Sequence, residues 1–478
     1  MIDSMISPQR ALAGWLFAFP LLVAPLAGAA GQPPPSDLWR VYLDAHEHNS
    51  ALAAARADQA ARAEAVPQAR AGLLPTLSAS AELNNTATSL QQPRQDTQRS
   101  GTSYQAVLNQ PIFRADRWFA FKAAEAEDQQ ARLELAAAEQ KLMLDSAQAY
   151  FGLLKAQDAL AAAKAEEAAL KRQLELAEKG LQFGLSDRTD VLQAQAGHDT
   201  AQANRIVAQK RMDDAFEALD TLTHQQYAAI QGVRHDMPVL LPEPNDARRW
   251  VDTAVRQNLT LQASQHALEA TQQTLSARKA GHAPTLDAVL RYQTGDNDNL
   301  GYGNSDIRGS GYGGSVEQRS VGLQLNIPLF SGGQTRSQVR EAYQRMNQRE
   351  YLNDDLRRQV VEQTRNLHRG LNSGVDQVRA RRQSIISNQG AVLASQLGFQ
   401  VGTRNIVDVL EAQRQLYNAV RQYNDSRYDY ILDTLRLKQA VGTLSPQDLK
   451  ALCDYLKADY DPDRDFLPPE FPRRLARL

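Results

Sequence analysis

Two kinds of hydrophobic pattern follow one another along the chain. In the first kind, apolar residues occupy every second position, as from Leu77 to Leu83, where Ser78 and Ser80 lie between them. In the second kind, Ala and Leu recur at mixed spacings of three and four residues, as from Asp37 to Leu74. A period of two predicts a strand with one apolar face, and the longer spacing predicts a helix. We therefore expect a helix over Asp37–Leu74, closed by Pro75, and a strand directly after it.

Four stretches carry the two-residue alternation, and they form two predicted hairpins over residues 76–110 and 285–327. The second strand of the first hairpin has its apolar positions between Tyr104 and Leu108. We expect that strand to end at Pro111, because proline cannot donate a ladder hydrogen bond. The tips of both hairpins, rich in Gly, Ser, Asn and Gln, are predicted to be exposed loops.

Each hairpin leads into a very long helix. Residues 115–182 contain no proline, and neither do residues 331–400. At 1.5 Å per residue, such a helix spans on the order of 100 Å, and it is stable only when it packs laterally on other helices in a coiled-coil manner. Gly184 and Gly402 are predicted to turn the chain at the far ends of these helices. Asp187 or Asn405 can then cap the helix that returns.

The order of these elements is duplicated. Three markers occur twice in the same order: residues 71–77 recur as 280–286, residues 109–113 as 326–330, and residues 183–195 as 401–413. Two copies predict a tandem duplication rather than a solenoid, which needs three or more repeats. We assign residues 30–245 to the first repeat, 246–441 to the second, and 442–478 to a C-terminal segment that ends in a flexible tail from Asp461 onward.

The N-terminus indicates export. Arg10 precedes an apolar run from Ala11 to Leu26 and then small residues, which predicts a signal peptide over residues 1–29. The remaining sequence offers no uninterrupted apolar run of about 18 residues, so any membrane-spanning part must be built from strands. Four strands cannot close a useful barrel, whereas three copies supply twelve. The alternative from the pattern alone is a four-stranded soluble sheet covered by helices.

Composition and charge narrow the class further. Lys and Arg number 53 against 55 Asp and Glu, so net charge carries no information about partners, and no nucleic-acid partner is expected. Cys453 is the single cysteine, which excludes an intramolecular disulfide and a multi-thiolate metal site. His46 and His48 lie two apart on a helix and face different directions. We find no catalytic constellation and expect no enzyme, metal site or cofactor.

The second turn and the helix after it carry a family resemblance. Residues 401–412, with Leu416 to Ala419 and Ala440 to Leu444 further on, resemble the TolC family of outer-membrane factors in residue type and order. The resemblance covers the predicted mature chain. It implies an α+β membrane protein: a homotrimer with a twelve-stranded transmembrane β-barrel, a long helical coiled-coil tube and an equatorial belt.

The same resemblance implies function and partners. A member of this family is inserted in the lipid of the outer membrane and extends into the periplasm. It conducts substrates passively out of the cell, in type I protein secretion or multidrug efflux. It meets a periplasmic adaptor, or membrane fusion protein, and an inner-membrane ABC or proton-driven pump. A rival interpretation of the helices is a non-conducting periplasmic spacer or adaptor protein, which has no need of two amphipathic hairpins.

Site residues are implied by matching position. A periplasmic gate latch would join Asp190 to Arg404, and Phe399 stands where family members often place Tyr. Asp408 and Glu411, three apart on one helical face, would form acidic selectivity rings at the mouth of a trimer; their alternative role is that of ordinary solvated helix charges. The expected adaptor-docking tips comprise Gly184, Leu185, Gly402, Thr403 and Arg404.

Overall fold

The computed structural model describes residues 35–91, 94–184, 186–296 and 315–469. The predicted signal peptide lies outside these residues, as do Leu185 and most of the loop between the strands of the second hairpin. The helices of the first repeat are α1 (Leu38–His48), α2 (Ser50–Ala63), α3 (Ala65–Ala71), α4 (Ala115–Gln182) and α5 (Arg188–Thr223). Its strands are β1 (Thr76–Gln91) and β2 (Arg94–Phe113), and the short β3 (Gly232–Val233) lies after α5, in the linker between the repeats.

The second repeat follows the same order. It contains α6 (Ala247–Gln257), α7 (Leu259–Ala280), β4 (Thr285–Asp296), β5 (Ser315–Asn326), α8 (Gln334–Gln400) and α9 (Ile406–Val441). The C-terminal segment adds α10 (Pro446–Cys453), β6 (Leu456–Lys457) and α11 (Pro462–Asp465).

The first helical stretch differs from its prediction. In place of one helix over Asp37–Leu74, three helices occur, and the first break is at Asn49, whose backbone is extended. The Asn49 side chain accepts a hydrogen bond from the Leu52 amide and donates one to the Leu222 carbonyl oxygen. A residue that caps a helix leaves the helical conformation to do so, which the spacing of apolar residues does not register.

The four long strands form one antiparallel sheet in the order β1-β2-β4-β5. Leu77 lies opposite Leu108, Leu108 opposite Leu290, and Leu290 opposite Val321. Because directly opposed residues share a face, the four alternating patterns combine into one apolar face that runs across the whole sheet. The predicted alternation is confirmed, and the register adds that the two hairpins face the same way. The predicted loop from Gln91 to Gly101 is wrong, because β1 extends to Gln91 and β2 already begins at Arg94.

The end of β2 corrects a second prediction. The strand passes through Pro111 and continues to Phe113, with a register irregularity between those two residues opposite β4. Proline is tolerated here because the ladder is already disrupted at the irregularity, where a donor is not required. Just beyond, the Arg114 guanidinium donates to both carboxylate oxygens of Asp287, at 3.0 and 2.7 Å, and fastens the start of α4 to β4.

Two long helices descend from the sheet and two shorter ones return. α4 has 68 residues and α8 has 67, whereas α5 and α9 have 36 each. α4 packs against α5, α7 and α9, and α8 packs against α7 and α9. The first-repeat helix α4 thus contacts both α7 and α9 of the second repeat, while α5 and α8 lie on the flanks of the α4–α9 contact. None of the helices in the described ranges has both the length and the apolar content needed to cross a bilayer.

The C-terminal segment is folded where the structure describes it. Contrary to the predicted flexible tail, residues 461–469 contain α11, and Phe466 is buried in the main hydrophobic core. β6 pairs with β3 of the linker between the repeats. The acidic and proline-rich composition concealed this docking because it depends on one aromatic anchor rather than on a periodic pattern.

Candidate functional site

The first helical tip is a glycine turn followed by a capped helix. Gly184 has a φ of 72°, in the left-handed region that favours glycine. The Asp187 side chain accepts a hydrogen bond from the Asp190 amide at 2.8 Å, and the Asp190 carboxylate accepts one from the Asp187 amide at 3.5 Å. This reciprocal capping box satisfies amides that the start of α5 leaves without helical partners.

The second tip repeats this geometry. Gly402 has a φ of 75°, the Asn405 side chain accepts from the Asp408 amide at 2.9 Å, and Asp408 accepts from the Asn405 amide at 3.3 Å. The predicted caps Asp187 and Asn405 are thus confirmed. Asp190 and Asp408 occupy the same position in the two repeats, and each already serves its own helix. The sequence assigned them different roles and did not identify this shared one.

The three predicted latch residues lie near the tips without forming a latch within one chain. The Arg404 amide donates to the Gly398 carbonyl oxygen at 3.1 Å, and the Arg404 side chain lies over Gly398, where an added Cβ would approach Arg404 Cγ to 2.6 Å. Phe399 is half-buried. Among the described residues, no ion pair joins Asp190 to Arg404, so the latch stays a prediction.

The two predicted ring residues are half-buried on the first turns of α9. Glu411 forms an ion pair with Arg414 and accepts a hydrogen bond from Gln415 at 3.0 Å. It also lines a cavity of about 260 Å³ between α4, α5 and α9, together with Gly197 and Val407. The carboxylates therefore have local partners but keep access to solvent, and their ring role stays a prediction.

The predicted docking tips are exposed and partly apolar. Phe183 precedes Gly184, and Val401 precedes Gly402; both side chains are exposed to more than two thirds of their surface. The Thr403 hydroxyl donates to the Gly398 carbonyl oxygen at 3.1 Å, which closes the second turn. Phe183 and Val401 thus place an exposed apolar side chain beside each turn, and docking stays a prediction.

A set of polar contacts along the α4–α9 interface was missed by sequence reasoning. The Glu166 carboxylate, almost fully buried, pairs with Arg421 at 3.1 Å. Asp158, also buried, accepts hydrogen bonds from the hydroxyls of Tyr428 and Tyr460. The first contact joins residues 255 positions apart, so no local pattern could reveal it. The available signal was the presence of isolated carboxylates among small apolar residues of α4.

The side chains weighed for metal or thiol chemistry have structural partners. The Cys453 thiol donates to the Leu449 carbonyl oxygen at 3.3 Å, and burial raises the pKa of Cys453 to about 11. His46 contacts Arg56 at 2.8 Å, whereas His48 contacts the Asp44 carbonyl oxygen at 3.0 Å. The two histidines therefore point to different neighbours, as their spacing predicts.

Known proteins share this architecture. The family described as "Outer membrane efflux protein" matches residues 41–224 and 250–443, once in each repeat. "Outer membrane protein TolC" of Vibrio cholerae serotype O1 is 33% identical over 416 residues, which cover 86% of this chain and 92% of that protein. "Alkaline protease secretion protein AprF" of Pseudomonas aeruginosa is 28% identical over 451 residues, covering 92% of this chain and 91% of that one. A solved structure of CusC superposes with a TM-score of 0.75 at 17% identity, covering 85% of this chain and 92% of that one.

A duplicated bundle of 67- and 68-residue helices attached to a sheet with one apolar face is the architecture of outer-membrane export channels. The chain belongs to the outer membrane efflux protein family. It is an outer-membrane exit duct of the kind used in type I secretion or efflux, and the family is one of transport channels.

Proposed function

We propose that three copies of the chain join their sheets into a closed twelve-stranded barrel, with the apolar face toward lipid and the polar face toward the lumen. The support lies in what a single chain leaves uncovered. Leu77, Val321 and Leu323 lie on the apolar face, each more than two thirds exposed, although strands of a soluble sheet bury such residues. The order β1-β2-β4-β5 also leaves β1 and β5 as edges, and a bilayer does not tolerate an open edge.

The helical part offers matching surfaces for the same assembly. α5 exposes Leu192, Ile206 and Val207, and α8 exposes Ile386, Leu393 and Leu397. Leu192 and Ile206 are two heptads apart, and Ile386, Leu393 and Leu397 follow at intervals of seven and four residues, so each row lies on one face of its helix, as in a helix-packing seam. The two rows lie on the flanking helices of each chain, so the α5 of one copy can meet the α8 of the next. A head-to-tail contact of this kind closes into a ring.

The two rows are also level with each other. A Cβ placed on Gly197 of α5 would lie 3.6 Å from the Leu410 side chain of α9, and Gln422 of α9 accepts a hydrogen bond from Arg381 of α8. On α9, Leu410 lies as many residues before Gln422 as Leu393 lies after Arg381 on α8. Because α9 runs antiparallel to α8, Leu393 is level with Leu410 and therefore with Gly197. Apolar residues on both flanks thus face the neighbouring copies at the same distance from the tips.

In this assembly the tips form the mouth of the duct. Asp190 of one copy pairs with Arg404 of its neighbour and holds the mouth closed by a charge-assisted contact, which docking of an adaptor breaks. Phe399 contributes packing but no hydroxyl link. Asp408 and Glu411 form acidic rings that favour cations and retain multivalent ones. Both local partners of Glu411 lie on its own helix, so its carboxylate can turn toward the lumen.

The partners follow from the exposed tips. A periplasmic adaptor docks its helical hairpin against the turns at Gly184 and Gly402, next to Phe183 and Val401, and an inner-membrane pump supplies the energy. The likeness to a protein named for alkaline protease secretion over nine tenths of the chain favours a secreted protein as cargo over a small molecule.

Planar-bilayer conductance of the purified protein tests this function. We compare the wild type with Asp408→Asn and Glu411→Gln, which remove the charge but keep an oxygen that accepts hydrogen bonds, and with Asp376→Asn on the exposed surface of α8 as a control. Discrete cation-selective openings, blocked by multivalent cations and less so in the two mouth variants, support the duct and its rings. A folded trimer that conducts neither as wild type nor with the latch removed by Arg404→Ala contradicts the duct and favours a spacer, whereas openings equal in all variants remove only the ring assignment.

A further inference from the structure

Asp158 is a buried carboxylate for which neither the proposed gate nor conduction has a use. It lies on α4 with 3% of its surface exposed. The Tyr428 hydroxyl of α9 donates to one carboxylate oxygen at 2.9 Å, and the Tyr460 hydroxyl donates to the other. Tyr460 belongs to the segment that follows β6, so one carboxylate ties three separate parts of the chain together.

This C-terminal strap, residues 456–469, crosses the α4–α9 interface and is held at several points. The Asn424 side-chain amide of α9 donates to the Phe466 carbonyl oxygen at 2.8 Å, and Lys164 of α4 pairs with Asp463 at 3.0 Å. The Tyr460 ring lies directly against Gly232, where an added Cβ would approach Cγ of the ring to 2.1 Å. The strap therefore covers Asp158 in a position that only glycine at 232 permits.

We propose that the strap is a pH-responsive clasp, in which protonation of Asp158 tightens the docking of the strap on α4 and α9. The reason is desolvation. A docked strap encloses the carboxylate, and an enclosed negative charge is less stable than a neutral carboxylic acid. An undocked strap opens Asp158 to water, where the charged form is fully solvated.

The electrostatics of the site agree with this geometry. Burial, with a smaller contribution from nearby Asp425, raises the pKa of Asp158 to about 6. The hydrogen bonds from Tyr460 and Tyr428 and the charge of Arg427 oppose the rise. The docked state thus binds the proton more tightly than the undocked state does. Docking is strengthened as pH falls through about 6, and opening decreases about tenfold between pH 8 and pH 5.

A second titratable group faces the same network from the linker between the repeats. His235 lies 3.1 Å from the Arg427 guanidinium through one ring nitrogen and 2.8 Å from the Asp465 carbonyl oxygen through the other. This arrangement requires the neutral ring, with one nitrogen accepting and one donating. Protonation of His235 would therefore loosen the strap in acid, opposite to the effect of Asp158. A test must separate the two groups.

Hydrogen exchange of the strap in the full-length protein in detergent provides that test. The exchange of peptides over residues 456–469 is measured from pH 8 to pH 5. It is expressed as protection factors, because these correct for the intrinsic pH dependence of exchange. In His235→Gln we expect protection to rise about tenfold toward pH 5. In the double variant with Asp158→Asn, we expect strong protection that does not change with pH.

Two further variants keep the test decisive if Asp158→Asn fails to fold. Tyr460→Phe removes a hydroxyl donor that stabilises the carboxylate, so the midpoint of the rise should move above pH 6. Gly232→Ala displaces the Tyr460 ring and should lower protection at every pH without adding a titrating group. Constant protection from pH 8 to pH 5 in His235→Gln, or a midpoint unmoved by Tyr460→Phe, would overturn the clasp.

Discussion

The two helical hairpins are nearly identical in local structure but differ in which of their two helices is the more buried. Each has a long descending helix, a left-handed glycine, a capping box and a returning helix of 36 residues. In the first hairpin the descending helix α4 carries most of the buried side chains, whereas in the second the returning helix α9 does. The difference arises because α4 and α9 pack on each other, which leaves α5 and α8 on the flanks.

The comparison teaches that duplication preserved the turns but not the surfaces. Local geometry depends on a few positions near Gly184 and Gly402, which recur in both copies. Burial depends instead on which neighbour each helix meets, and the two repeats meet different ones. Repeat-equivalent residues can therefore be used as matched pairs, one buried and one exposed.

The largest expected effect is a difference in the loss of stability when the two members of such a pair are each replaced by alanine. Phe151 of α4 is fully buried and stacks on Tyr428 at a ring distance of 6.0 Å, whereas the equivalent Arg369 of α8 is exposed. Phe151→Ala should lower the free energy of unfolding by about 3–5 kcal/mol through loss of apolar burial and creation of a cavity. Arg369→Ala should change it by no more than about 0.5 kcal/mol. Heat unfolding in detergent, followed by circular dichroism, checks both; equal shifts would contradict the burial contrast.

A smaller loss of stability is expected when the buried ion pair between α4 and α9 is broken. Arg421→Met leaves the Glu166 carboxylate buried without its partner and should cost about 1–3 kcal/mol. The control is Lys210→Met, which removes an exposed pair with Asp214 within α5 and should cost less than about 0.5 kcal/mol. The same unfolding measurement applies. A loss no greater for Arg421 than for Lys210 would show that burial does not decide the strength of these pairs.

The smallest effect concerns the two caps, where the hairpins are alike. Asp187→Ala and Asn405→Ala each remove the side chain that accepts from the third amide of the helix and should each destabilise the local tip by about 1 kcal/mol. Hydrogen exchange in the first turns of α5 and α9 measures this locally. A clear difference between the two tips would mean that contacts outside the capping box hold one of them.

The sequence predicted the parts of the fold that depend on local chemistry. Strand alternation, the two glycine turns and both caps could be identified because each has a physical signature within a few residues. The break at Asn49 was missed because a capping asparagine interrupts the helix without altering its apolar spacing. The contacts of Asp158 were missed because its partners lie 270 and 302 positions away, and only the fold brings them together.

Cross-linking between copies tests the central claim, that α5 and α8 are flanks joined between neighbouring chains. In a Cys453→Ala background, Leu192→Cys and Leu397→Cys are combined in one chain and treated with a short thiol-specific cross-linker. Ile206→Cys with Leu397→Cys serves as the control, because its two sites differ in height by about 20 Å. The account predicts covalent dimers and trimers on denaturing gels for the first pair and monomers for the control. Monomers for both pairs, from protein that is folded and inserted in the outer membrane, would contradict it.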